Sequence, residues 1–167
     1  MAELIPSERL QPSLLDRLTD EEPERLHETA DKRVLSFQRL RESVRRDLAS
    51  LLNTANLASV RDLSEYPEVE RSTLNFGIPD LTGKTSSSLD AAALLRVIRN
   101  AILQFEPRLL RNSVKVQVVR SESHDANAIC FAIEADLWAQ PLPLRLYLRT
   151  EFNLEDGEAR IMEVAGG

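Results

Sequence analysis

Few residues in this chain could do chemistry, and the most arresting group is Glu106-Pro107-Arg108, a carboxylate and a guanidinium on either side of a proline. Three uses fit that pattern: catalysis by the carboxylate, an ion pair internal to the fold, or docking on a partner. A glycosidase needs one carboxyl kept protonated in an apolar setting and a second one several ångströms away. Glu106 has neighbours that suggest a constrained setting, but no second positioned carboxylate can be named. Nucleophilic catalysis fares no better. There are two histidines, His27 in a charged stretch and His124 in a polar run, and one cysteine, Cys130, inside Ala-Ile-Cys-Phe-Ala-Ile (128–133). That setting reads as a small buried hydrophobe. Such a set builds neither a Ser/His/Asp arrangement nor a zinc site of usual composition. Gly77-Ile-Pro-Asp-Leu-Thr-Gly83-Lys84-Thr85 imitates a phosphate loop superficially. A proline sits second after the first glycine, and no apolar strand precedes it. No catalytic, cofactor-binding or metal-binding residue is therefore assigned, and no cofactor is expected.

The bulk numbers narrow the partners. The 27 acidic and 21 basic residues give a net charge of −6, a field that does not attract phosphate backbones, so nucleic acid is not expected. The run Ala91 to Leu95 is far short of a membrane span, so no membrane insertion is expected. The first ten residues lack a basic region followed by an apolar one, which makes the cytoplasm the expected compartment. A length of 167 residues suits one domain plus a tail, with a core that needs no disulfide.

The elements that must position Glu106-Pro107-Arg108 follow from periodicity. Residues 1–30 read as a charged N-terminal extension holding one short apolar helix. There Pro12 suits a first turn, and Leu14, Leu15 and Leu18 form a stripe. So short a helix is marginal alone, and its leucines need either the parent domain or a partner. Residues 31–167 read as a single α+β domain. Phe37, Leu40, Val44, Leu48 and Leu51 mark one buried face of a helix over about 34–52. Ala91, Leu95, Ile98, Ile102 and Phe105 mark another over about 89–105, with Ser87 and Asp90 as a capping box and Pro107 as its stop. Between them, residues 53–87 are loop-rich, with Leu74-Asn-Phe-Gly-Ile-Pro-Asp-Leu81 as a packed turn. The period then switches to two. Val114, Val116 and Val118, then Ile129 to Leu137, then Leu142 to Leu148 each alternate with polar residues, and 120–127 is the first hairpin loop. Asp156-Gly157 signals a last hairpin that pairs Leu154 with Ala159 and Phe152 with Ile161. The expected architecture is two main amphipathic helices packed on one face of a small antiparallel or mixed sheet of three to four strands.

Four segments in this order resemble one family: Leu10-Gln-Pro-Ser-Leu-Leu-Asp-Arg-Leu18, Ser43-Val-Arg-Arg-Asp-Leu-Ala-Ser-Leu-Leu-Asn53-Thr, Leu74 to Leu81, and Ile102-Leu-Gln-Phe-Glu-Pro-Arg-Leu109. Together they are similar to the TssE family of type VI secretion baseplate proteins, which is labelled lysozyme-like but regarded as structural. The resemblance implies helices packed on a sheet and no enzymatic activity. It implies a wedge component that joins TssF and TssG and receives strands from the first TssB/TssC sheath ring. TssK and the spike and tube complex are further candidate neighbours, at a cytoplasmic baseplate docked on the inner-membrane complex. It also implies that Glu106, Pro107 and Arg108 contact the helical core bundle of the wedge. The stripe Leu14, Leu15 and Leu18 is expected to bind a partner too. The rival readings are a peptidoglycan hydrolase and an unrelated cytoplasmic protein-binding domain.

Overall fold

Leucine and valine at three- and four-residue steps need a helix with one dry side, and the chain supplies two. In a computed structural model, which describes residues 14–19, 37–83, 90–119, 128–139 and 143–164, four helices and four strands form. Helix α1 is Leu14–Leu18, α2 is Phe37–Leu52, α3 is the single turn Pro67–Glu70 and α4 is Ala91–Phe105. Helix α2 buries Leu40, Val44, Leu48 and Leu51 on the expected face, with Leu52 beside them. Helix α4 is turned slightly from expectation. Leu94, Ile98, Ala101 and Ile102 are buried, whereas Ala91 is exposed and Leu95 and Phe105 sit on the flank. A wide apolar stripe tolerates that rotation, because Leu94 and Leu95, about 100° apart on the wheel, both fall within or at the edge of an arc of that width.

The start of α4 also differs. Asp90 is itself the N-cap, and its carboxylate accepts from the N–H groups of Ala92 and Ala93 at 2.9 and 3.1 Å. A carboxylate at that position satisfies two otherwise orphaned donors. Ser87, the expected cap, lies outside the described residues, as do the stretch 34–36, the hairpin loop 120–127, Leu142, both histidines, and Lys84 and Thr85 of the imitation phosphate loop.

The four strands are β1 (Lys115–Val118), β2 (Ala128–Leu137), β3 (Leu144–Asn153) and β4 (Ala159–Glu163). They pair antiparallel in sequence order. One face is apolar: Phe131, Ile133, Ala135 and Leu137 of β2 lie beside Leu146, Leu148 and Phe152 of β3 and Ile161 of β4, all buried. The other face carries Glu134, Asp136 and Arg145. Helix α4 lies against β1, α2 lies against β4, and the two helices touch. Cys130 is buried.

The last hairpin keeps the expected facing but slips by two residues: Phe152 opposes Ala159 and Thr150 opposes Ile161. The cause is a longer loop. Asn153 Oδ1 accepts from Glu155 N–H at 2.8 Å, Asp156 Oδ1 accepts from Glu158 N–H at 2.8 Å, and Gly157 turns the chain at φ 74. These side-chain turns widen the connection beyond a two-residue loop, and a slip of two leaves every side chain on its face. Leu154 then folds under the loop and is buried.

Candidate functional site

The Glu106-Pro107-Arg108 turn is built by the end of α4. The N–H of Glu106 still bonds Ile102 O at 2.9 Å, but its backbone is at φ −118, ψ 80, outside the helix. Proline at 107 disfavours helix at the residue before it and has no donor of its own. The chain then attaches to the end of β2. Trp138 N–H donates to Arg108 O at 2.8 Å and Leu110 N–H donates to Asp136 O at 2.8 Å, bracketing a bridge between Leu109 and Leu137. The turn is thus fixed to a helix on one side and to the sheet on the other.

Its charges face inward. Glu106 is only 4% exposed. Its Oε1 accepts from Arg108 Nε at 2.7 Å and from the Arg108 backbone N–H at 3.1 Å, and its Oε2 accepts from Arg108 Nη2 at 2.5 Å. The two parallel bonds make a bidentate pair. Arg108 then reaches α2: Nη2 donates to Asp47 Oδ2 at 2.6 Å and Nη1 to Ser43 Oγ at 2.9 Å. Burial pulls the Arg108 guanidinium below the usual arginine range, and bonding to Glu106 and then Asp47 more than offsets it, so the net direction is upward. The cation is permanent under any folding condition. Of the three uses open to the motif, internal ion pairing is therefore made in full. A general acid needs a proton on oxygen to give away. Both Glu106 oxygens instead accept from a guanidinium.

Ser43 carries the network to the N-terminal helix. Its hydroxyl, 5% exposed, donates to Asp16 Oδ2 at 2.7 Å. Arg46 donates to Asp16 Oδ1 at 2.7 Å and to Asp47 Oδ1 at 2.9 Å. Its guanidinium is shifted upward, first by the bond to Asp16. Three carboxylates and two guanidiniums from α1, α2 and the turn thus alternate around one serine. Sequence reading singled out neither Ser43 nor Asp47 as part of a site. A signal existed: Ser43 is a small polar residue beside Val44 on the apolar stripe, and Asp47 lies one turn further on the same side.

The other expected site residues are placed differently. Leu14, Leu15 and Leu18 are 71, 55 and 74% exposed. Leu15 borders a groove of about 500 Å³, whose floor is Leu48, Leu51, Phe76 and Phe105 and whose rim is Asp47, Pro107 and Arg108. Phe76 and Phe105 meet edge to face with centroids 5.3 Å apart. Phe76 is delivered by the packed turn, where Ile78 N–H donates to Thr54 O at 2.9 Å and Asn56 N–H donates to Ile78 O at 2.9 Å. Gly77 sits between them at φ 122, and a Cβ there would lie 2.2 Å from Thr54 O. That position requires glycine. The structure thus brings Glu106, Pro107, Arg108 and Leu15 around one groove, with Leu14 and Leu18 on the helix that borders it.

Two helices on a four-stranded sheet, with a buried ion-pair network beside an apolar groove, make an α+β domain whose charged motif serves its own scaffold. Residues 38–142 match the family described as baseplate wedge protein gp25, and the chain belongs to that family. It is a structural component of a baseplate. No curated protein matches the chain. The matched span contains Ser43, Asp47 and the Glu106-Pro107-Arg108 turn, while α1, β3 and β4 fall outside it. Among the described residues, no helix is long and apolar enough to cross a membrane.

Proposed function

We propose that this chain is the TssE subunit of a type VI secretion baseplate, joining TssF and TssG in the wedge and giving the first TssB/TssC sheath ring a sheet to pair with. In this reading residues 31–167 are the wedge domain, and the 1–30 extension contributes α1. The protein works on the cytoplasmic side of the inner-membrane complex, with TssK and the spike and tube complex as further neighbours. The observation that carries the reading is the groove beside the charged turn. It presents apolar surface next to an exposed Pro107 and a part-exposed Arg108, all held rigid by backbone bonds to α4 and β2. A preorganised surface loses little entropy on docking. Within the motif the roles divide: Glu106 holds Arg108 in position, while Pro107, the outer edge of Arg108, and Leu14, Leu15 and Leu18 meet the partner.

Affinity co-purification with TssF and TssG tests this. Pro107→Ala should leave circular dichroism unchanged and lower recovery of the complex about tenfold, as loss of one well-packed anchor does. Recovery equal to the parent chain, with both wedge proteins present, would overturn the docking role.

A further inference from the structure

The sheet has two edges, and they are finished differently. In the β3–β4 pair, Asn153 N–H donates to Glu158 O and Val164 N–H to Tyr147 O, so Arg160 and Met162 bond inward while Ala159, Ile161 and Glu163 turn their backbone groups outward. Helix α2 closes that outer side. Asn53, one residue past the helix, donates from Nδ2 to Ala159 O at 2.9 Å and accepts at Oδ1 from Ala159 N–H at 2.8 Å, so one side-chain amide takes the place of a neighbouring strand. Twelve residues earlier, Arg41 donates to Glu163 at 2.9 Å and to Arg145 O at 3.2 Å, covering β3 where β4 has ended. Those twelve residues rise about 18 Å along α2, enough to run the length of β4. Ile161, between the two clamps, is 7% exposed. A helix laid along an edge in this way is a standard means of preventing further pairing.

Among the described residues the β1 edge is finished only at its start, where Arg99 Nε donates to Val114 O at 3.1 Å. Val119 N–H bonds Cys130 O, which places Lys115 and Gln117 in the inward-bonding positions and turns the backbone groups of Val116 and Val118 outward. Among the described residues these groups have no partner, and Val118 is 52% exposed.

We propose that the incoming sheath strand adds to β1, at Val116 and Val118, and that β4 is closed to it. This rests on the sheath-pairing reading given above and names the edge that reading needs. The occupant is an extended segment of alternating character. Residues opposite Val116 and Val118 share their face with the helix side of the sheet and should be apolar. Those opposite Lys115 and Gln117 face water and should be polar, with an acidic side chain matching Lys115. A second copy of this chain fits less well, because a four-residue edge pairing with itself buries too little to hold a dimer.

Two measurements test this on the full chain. In the free protein, amide exchange at Val116 and Val118 should be about a hundredfold faster than at Gln117, whose N–H lies in the inward-bonding position. Equal protection would mean that the edge is already filled and would overturn the proposal. Second, a photo-crosslinking benzoylphenylalanine is placed at Gln117 on β1 or at Arg160 on β4, and the chain is assembled with TssB/TssC. Crosslinks to the sheath from position 117 alone support the assignment. Crosslinks from position 160, with or without 117, overturn the edge while leaving the sheath reading intact. If neither position crosslinks and the chain fails to co-sediment with sheath, the sheath reading falls as well.

Discussion

The Glu106-Pro107-Arg108 turn and the leucine helix α1 border the same groove but are secured in opposite ways. The turn buries its charge. Glu106 is 4% exposed, every polar atom of its carboxylate is engaged, and backbone bonds tie the segment to both α4 and β2. Helix α1 exposes its apolar side chains, and among the described residues its Asp16 carboxylate takes bonds from Ser43 and Arg46. A buried, paired charge fixes geometry, since leaving either partner alone costs far more than the pair contributes. Exposed leucines on a single-turn helix fix nothing by themselves. They hold apolar area in reserve for whatever covers them. One region is the rigid half of the proposed interface and the other the adaptable half.

The largest effect should come from splitting the ion pair. Arg108→Ala leaves the Glu106 carboxylate buried without its counter-ion and should cost about 3 kcal/mol of stability by urea denaturation. Replacing both charges, Glu106→Met with Arg108→Met, should recover most of that loss, because well-packed apolar groups can stand in for a buried pair. Recovery of stability without recovery of TssF and TssG binding would separate the scaffold role of the pair from the docking role of Arg108. If the single variant is as stable as the parent, the turn is not the rigid half.

Next comes the wall of the groove. Gly77→Ala should destabilise by about 2 kcal/mol, since φ 122 is unfavourable for alanine and its Cβ would meet the Thr54 carbonyl oxygen. Intensity changes in the aromatic near-UV spectrum should accompany it, because Phe76 follows this turn into its contact with Phe105. An unchanged melting curve would show that the turn can shift without disturbing the turn-side surface.

The contrast between the two regions was only half legible in the sequence. Helix α2, the stop at Pro107 and the alternating strands follow from apolar spacing and from proline's missing donor, which are local properties. The slipped hairpin register was not legible, because Asn153 and Asp156 select the loop through bonds to backbone groups that exist only once the turn has formed. The charged site was harder still. The bonds from Arg108 to Ser43 and Asp47 join residues 65 and 61 positions apart, and nothing in local spacing reports a distant guanidinium. Sequence did show that a carboxylate and a guanidinium flank a proline. Which of three uses they serve depended on whether the turn faced in or out.

Ser43 bonds both regions, through Asp16 of α1 and Arg108 of the turn, and its removal should have an intermediate effect. Ser43→Ala deletes the acceptor for Arg108 Nη1 and the donor to Asp16, and should cost about 1 kcal/mol, the net value of a buried hydrogen bond. The informative readout is a double-mutant cycle with Asp16→Asn. If α1 is seated through Ser43, the two changes should be less than additive by about 0.5 kcal/mol or more. Strict additivity would mean that Ser43 does not seat α1 and that the two regions are not coupled through it.

The smallest stability effect is expected where the binding effect should be large. Leu14→Ser with Leu18→Ser removes apolar area that is already 71 and 74% exposed, so unfolding free energy should change by less than about 0.5 kcal/mol. Co-purification with TssF and TssG should nevertheless fall. A large drop in melting temperature would instead show that the leucines pack on their own domain, erasing the contrast with the buried turn. Leu15 offers the finer test, because it is the least exposed of the three and borders the groove itself. Leu15→Ser should weaken binding without help from the other two leucines if the groove and α1 form one continuous surface. If it acts only in combination with Leu14 and Leu18, the helix contacts its partner on the side away from the groove.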